Sequence, residues 1–255
     1  MEKKPFDDKV VIITGAGQGI GFTIATSLAK AGAKIILNDR HKDRTNDAIK
    51  QVKKEKGEAV GVPGDSSNIA LIQEMVDTAV TKFGKLDIAI ANAGITLFGD
   101  FFNYSPEDFF DVLKTNLGGS FFLAQAAAKQ MKKQGHGGKL LFMSSVTGHQ
   151  AHKDLAAYGM TKAALELLAK TLVIELSPFK INVNALAPGA TVTERTTDDP
   201  DYEKTWSKIT PMGRPAYTQD IANAAMFLVS ENANHITGQT LIVDGGWTSV
   251  SVQPD

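Results

Sequence analysis

The chain contains no cysteine, which excludes disulfide frameworks, zinc-thiolate centres and thiol nucleophiles together. It also lacks a charge imbalance: 27 Lys and Arg against 28 Asp and Glu leave a formal −1. No segment gathers basic residues on one face, so neither nucleic acid nor an anionic membrane is an expected partner. The lysines between Lys50 and Lys56 have no aromatic residues among them and read as a solvated helix face. No apolar run approaches membrane-spanning length, and the start, Met1 to Asp8, is charged without an apolar stretch behind it. A soluble, cytoplasmic protein acting on a small molecule is therefore expected. No metal site is expected either. His149 and His152, three residues apart, have no further ligand at matching spacing, and face substrate if their loop reaches it.

What the chain does contain is enough apolar residue for one large core. At 255 residues and 43% hydrophobic composition, nothing forces a division into two units. Short β-rich runs alternate with longer helical patterns: Val10 to Ile13, Ile35 to Leu37, Ala59 to Val62, Leu86 to Ala91, Leu140 to Met143, Ile181 to Ala187 and Leu241 to Val243. Between them, helices are predicted over 19–31, 42–54, 68–83, 106–133, 155–176 and 218–229. This alternation predicts an α/β fold, a doubly wound, mostly parallel sheet of about seven strands with helices on both faces. Ser105 before Pro106, Glu107 and Asp108 predicts one helix start, and Thr218 before Asp220 another. The Ala and Leu residues between Ala156 and Leu176 leave little polar face, which predicts burial on more than one side of that helix. The interval from Ala190 to Thr210 is rich in Thr and Asp and breaks the alternation, as a lid does.

Thr14-Gly15-Ala16-Gly17-Gln18-Gly19-Ile20-Gly21 joins the first strand to the first helix. Glycine lets backbone approach a pyrophosphate, whose charge the helix N-terminus stabilises. A strand-to-helix turn without ligand uses the same residues, and the segment lacks the Gly-Lys-Ser/Thr ending of a nucleoside-triphosphate loop. Asp39 closes the second strand eighteen residues after Gly21, where a carboxylate accepts from ribose hydroxyls and repels a 2′-phosphate. That favours NAD. Arg40, next in line, suits a 2′-phosphate, so NADP stays open. Asp65, followed by Ser66, either accepts from an adenine amine or caps the next helix. Asn92-Ala93-Gly94 ends the fourth strand with small residues against which a flat ring can lie, or forms a plain turn.

Tyr158 and Lys162 are four residues apart in a predicted helix, and Ser145 precedes Tyr158 by thirteen. The step of four puts phenol and ammonium on one helical face, where a fixed positive charge favours the ionised phenol. A hydroxyl acid/base and a dinucleotide turn together suggest hydride transfer. The set of motifs resembles the short-chain dehydrogenase/reductase family in its single-domain form, over essentially the whole length. The resemblance rests on the glycine turn, Asn92-Ala93-Gly94, Asn116, Ser145 and Tyr158-Gly159-Met160-Thr161-Lys162. It continues through Pro188-Gly189, Gly213-Arg214-Pro215, Thr237-Gly238-Gln239 and Asp244-Gly245-Gly246.

The resemblance implies a dinucleotide-binding half over about 7–140 and a catalytic half over about 140–250. It implies Tyr158 as general acid/base, Lys162 on the nicotinamide ribose, Ser145 on the substrate oxygen in preference to Ser144, and Asn116 ordering a water beside Lys162. Gln18, Ile20, Ser66, Pro188, Gly189 and Thr193 join the implied cofactor contacts; a solvated loop is the other reading of Thr193. A homotetramer or homodimer is implied, packed through the Tyr158 helix and the one before it. The expected activity is NAD-dependent interconversion of a secondary alcohol and a carbonyl on a sugar or polyol. Two other readings stay open. One is a 3-oxoacyl-thioester reductase, against which Asp39 and Gln18 argue. The other is a catalytically silent dinucleotide sensor, against which the intact Asn116, Ser145, Tyr158 and Lys162 argue.

Overall fold

Every strand of the main sheet is parallel to its neighbours, and that follows from the helical crossovers between them. The computed structural model describes residues 4–250; residues 1–3, the head of the charged start read above, and 251–255 lie outside them. In chain order the elements are β1 (Val10–Ile13), α1 (Gly19–Lys30), β2 (Lys34–Leu37), α2 (Lys42–Lys54), β3 (Glu58–Gly61), α3 (Ile69–Phe83) and β4 (Ile88–Ala91). There follow α4 (Pro106–Val112), α5 (Gly119–Gln134), β5 (Gly138–Met143), α6 (Ala156–Leu176), β6 (Ile181–Pro188), β7 (Thr191–Val192), α7 (Tyr202–Ile209), β8 (Ala216–Tyr217), α8 (Thr218–Val229) and β9 (Thr240–Val243).

Seven strands form the sheet in the order β3-β2-β1-β4-β5-β6-β9, and β7 pairs separately with β8. Alternate side chains divide the central strands between two cores. Val11, Ile13, Ile35, Leu37, Ile88 and Ile90 meet α1, α2 and α8 on one face. Val10, Ile12, Ile36, Leu140 and Phe142 meet α3, α5 and α6 on the other. Burial on both faces explains why the strands read as unbroken apolar runs.

Two helix starts differ in an informative way. Ser105 Oγ accepts from the amides of Glu107 and Asp108 and caps α4 as predicted. Thr218 is instead the first residue of α8: Tyr217 stands at the cap, its amide donating to Asp220 Oδ2 at 2.8 Å. The predicted helix 106–133 is continuous but not uniform, because Leu113–Gly118 widens into a π-helix between α4 and α5. The interval 190–210 is not a bare loop, since it holds β7 and α7. Helix α6 buries Ala157, Thr161, Leu165 and Ala169 on one face, while Leu167 and Ile174 are 65% and 82% exposed. Burial on more than one side is thus not achieved within the single chain.

Candidate active site

The sheet order reverses between β1 and β4, and there the C-terminal strand ends open onto a cleft of about 530 Å³. Gly15, Gln18, Gly19, Ile20 and Gly21 line one wall. The first-turn amides of α1 face no competition: Gln18 makes no side-chain cap and no acid stands in that turn. Helices α3 and α4 are both capped by side chains. An uncapped N-terminus of this kind suits a pyrophosphate.

The turn is held by residues distant in sequence. Asn92 Nδ2 donates to the carbonyls of Thr14 and Gly15 at 3.0 and 2.9 Å, and Thr14 Oγ1 accepts from the amides of Asn92 and Ala93. Gly15 has φ of +60°, and a Cβ there would stand 2.8 Å from Ala93 Cα. At Gly21 a Cβ would stand 2.5 Å from the Gly15 carbonyl. Only glycine lets helix, turn and β4 meet this closely.

Asp39 sits at the end of β2, 7% exposed, its Oδ2 accepting from the Gly17 amide at 3.2 Å and its Oδ1 from the His41 amide at 3.0 Å. Both oxygens keep lone pairs for a ligand. Arg40 and Arg44 line the same end of the cleft. Asp65 also lines it, with Oδ1 taken by the Ser67 amide and hydroxyl at 2.9 and 2.7 Å. Burial works to raise the Asp65 carboxyl, but the Ser67 hydrogen bonds, with Lys114 and Arg40 nearby, outweigh it and hold it below the usual carboxylate value. Asp65 does not cap α3; Asn68 does, accepting from the Ala70 and Leu71 amides.

At the opposite end stand Ser145, Tyr158 and Lys162. The Lys162 ammonium lies 5.3 Å from the centre of the Tyr158 ring and donates to the Met143 carbonyl at 2.7 Å. Ser145 Oγ accepts from the Thr147 amide at 3.3 Å, which leaves its own O–H to donate. Ser144 also lines the cleft, but it is buried and its hydroxyl is committed to Glu166 and the Lys162 carbonyl, so the serine hydroxyl free to donate there is that of Ser145. Asn116 is wholly buried in the π-helix, behind the wall. Its Oδ1 accepts from the Ile95 amide at 2.8 Å, and its Nδ2 donates to the Ile95 carbonyl at 2.9 Å.

A family model described as enoyl-(acyl carrier protein) reductase matches residues 15–248. The chain is 36% identical to an L-rhamnose-1-dehydrogenase of Scheffersomyces stipitis over 250 residues, 93% of this chain and 95% of that protein. An L-rhamnose 1-dehydrogenase (NAD(P)(+)) of a Sphingomonas species is 35% identical, over 95% of this chain and 97% of its own. The chain is a short-chain dehydrogenase/reductase. It is an oxidoreductase acting on CH–OH groups, with a nicotinamide dinucleotide and a small-molecule substrate. The crystal structure of a gluconate 5-dehydrogenase from Burkholderia cenocepacia, in complex with NADP and tartrate, superimposes with a TM-score of 0.90 at 34% identity, over 97% of this chain and 99% of that one.

In this dehydrogenase all the sequence-derived cofactor residues, including Ser66, Ala93, Gly94, Pro188, Gly189 and Thr193, line the one cleft. Of the four catalytic candidates only Asn116 does not. His149 and His152 are not on its wall: His149 pairs with Glu166, and the His152 ring packs edge-on against Phe98. Sequence reading missed Arg44 and Tyr202, which do line it. Arg44 lay in plain view five residues after Asp39, but only the turn into α2 brings it back. Among the described residues no helix is long and apolar enough to cross a membrane.

Proposed function

We propose that this dehydrogenase interconverts a secondary alcohol and a carbonyl on an aldose, sugar acid or polyol, with NAD preferred over NADP. The observation that carries the reading is one cleft bounded by the glycine turn and Asp39 at one end and by Ser145, Tyr158 and Lys162 at the other. The dinucleotide, when bound, accepts or supplies the hydride. Within the chain, the Tyr158 hydroxyl takes the proton from the substrate alcohol or returns it to the carbonyl oxygen. Lys162 spends one N–H on Met143, and its other two are available to ribose hydroxyls. Ser145 donates to the substrate oxygen and stabilises charge developing there. Asn116 orders a water beside Lys162. In support, a Cβ on Gly94 would stand 3.3 Å from Asn116 Oδ1 and 3.4 Å from Lys162 Nζ, so both flank one point.

Asp39 is the support for NAD, with Arg40 and Arg44 as the groups that temper its preference. Polyhydroxylated substrates are supported by the polar wall of Thr96, Glu194, Arg195 and Tyr202. The residues best suited to hold an acyl chain, Phe98, Phe101 and Phe102, are outside the cleft and 66%, 77% and 90% exposed. Burying unpaired polar groups against hydrocarbon is costly, which weighs against a fatty thioester. The relatives named for L-rhamnose and gluconate support the same class. A second copy of the chain completes the proposal as homodimer or homotetramer. Its support is the exposed apolar face of Phe110, Phe121, Phe122 and Leu167 across α4, α5 and α6.

The deciding experiment is a steady-state comparison of L-rhamnose, other aldoses and gluconate with a medium-chain 3-oxoacyl thioester, each with NAD(H) and NADP(H). A higher kcat/KM on a sugar or sugar acid with NAD is expected. Efficient turnover of the thioester alone would move the protein to the reductase reading. No turnover of any substrate, with dinucleotide binding intact, would make it a sensor.

A further inference from the structure

Glu166 stands one helical turn beyond Lys162 on α6 and is buried, 8% exposed, yet it does not reach the cleft. Its Oε1 accepts from Ser144 Oγ at 2.5 Å and lies 2.9 Å from His149 Nε2. These two partners bracket Ser145. Ser144 precedes it at the end of β5, and His149 follows the short 3₁₀ turn Val146–Gly148 that Ser145 caps. Gly148 makes room for the carboxylate, since a Cβ there would stand 2.9 Å from Glu166 Oε1 and 3.0 Å from the Ala163 amide. One carboxylate oxygen thus ties both ends of the Ser145 segment to the helix that carries Tyr158 and Lys162.

A carboxylate taken out of water needs hydrogen bonds or opposite charge to offset its desolvation, and an apolar side chain would close the same space at less cost. Stability alone gives little reason for an acid here. A rigid strut between two reacting groups does, because orienting partners behind a reacting shell control geometry at the ångström level. An imidazole with its proton on Nε2, neutral or charged, donates to this oxygen, so the tie does not depend on one charge state of His149.

We propose that Glu166, with Ser144 and His149, is a positioning residue that fixes Ser145 relative to the Tyr158–Lys162 face. The proposal rests on the catalytic reading of Ser145 given above. It makes Glu166 act through Ser145, and a double-mutant cycle reads that directly.

The test measures kcat, KM, NADH affinity by fluorescence titration and thermal midpoint for wild type, Glu166→Ala, Ser145→Ala and the double variant, on whichever substrate is turned over. Glu166→Ala is expected to lower kcat about 10- to 100-fold with NADH affinity within about threefold of wild type. In the Ser145→Ala background the same change is expected to cost less than about threefold. Glu166→Gln, whose carboxamide oxygen still accepts from Ser144, is expected to retain most of kcat, which keeps the test valid if the alanine variant folds poorly. Additive losses in the cycle would overturn the proposal. So would a Glu166→Gln variant that loses kcat and NADH affinity together, since that is a general structural defect. Near-normal kcat in Ser145→Ala is a different failure: it would remove the catalytic reading of Ser145 and the strut with it.

Discussion

Lys162 donates to the carbonyl of Met143 at 2.7 Å, the only hydrogen bond this ammonium makes to protein among the described residues. Met143 is the last residue of β5, and Ser144 and Ser145 follow at once. The bond therefore joins the strand that delivers Ser145 to the helix that delivers Tyr158. It also buries a cation, 4% exposed, beside a carbonyl instead of a carboxylate, which leaves its charge available to groups in the cleft.

Phenol and ammonium should separate cleanly by mutation. With Tyr158 as the proposed proton carrier, Tyr158→Phe is expected to lower kcat about 10²–10⁴-fold while NADH affinity stays within several-fold of wild type. Lys162→Ala removes the bond to Met143 and the proposed donor to the ribose, and both kcat and affinity are expected to fall. Stopped-flow and fluorescence titration check the pair; Tyr158→Phe activity near wild type would remove the assignment.

In the proposed reading, cofactor choice turns on Asp39. Its carboxylate repels a 2′-phosphate, while Arg40 and Arg44 line the same end of the cleft. Wild type is expected to favour NAD by kcat/KM, and Asp39→Ser to narrow or reverse the ratio by ~1–3 kcal/mol as that repulsion is lost. A wild-type preference for NADP would refute this account of Asp39.

Gly21→Ala forces a Cβ against backbone, 2.5 Å from the Gly15 carbonyl and 3.0 Å from Ala16 Cα. The turn must shift, because no flexible side-chain end can yield at those two atoms. A stability loss of about 1–3 kcal/mol is expected from the overpacking, with NADH affinity reduced at least about tenfold as the amides of the turn move. Thermal melts and NADH titration test both; wild-type affinity in a folded variant would show that the turn has slack.

An acid-range effect is expected far from the cleft. The Lys9 ammonium, hydrogen-bonded at 2.7 Å, and then Asn234 hold the Glu231 carboxyl down to about 2 from the ordinary 4.5. A depressed carboxyl contributes stability that is fully present above about pH 4.5 and is lost as pH falls through about 2. Glu231→Gln should thus lower the thermal midpoint at pH 6, and the gap from wild type should close toward pH 2. Glu231 is largely exposed, so screening holds the effect to about 1 kcal/mol or less. A gap that widens on acidification would contradict the pairing.

Much of this molecule is one-dimensional information. The apolar runs from Val10, Ile35, Leu86 and Ile181 are legible because each strand is buried on both faces, and the first two run directly into a helix of distinct periodicity. The glycine turn and the step from Tyr158 to Lys162 are equally local, since a helix places residues four apart on one face wherever it lies. Strand edges moved by a residue or two, as at β3 and β4, because hydrogen bonding to neighbours, not apolarity, ends a strand.

What the sequence could not decide are the meetings between distant segments. Asn92 reads as part of a small-residue turn, and only β4 lying beside β1 makes it the residue that holds the carbonyls of Thr14 and Gly15, 78 and 77 positions away. The family resemblance prefers Ser145 to Ser144, but the physical reason is tertiary: the packing of β5 against α6 commits the Ser144 hydroxyl to the Glu166 carboxylate and leaves the Ser145 hydroxyl free at the cleft. The π-helix around Asn116 has no periodic signature, and its side chain is fixed by Ile95, 21 residues earlier. Spacing along a chain determines which residues share a face of their own element; which face meets which neighbour is decided by packing two cores against one parallel sheet, and the catalytic geometry exists only after that choice is made.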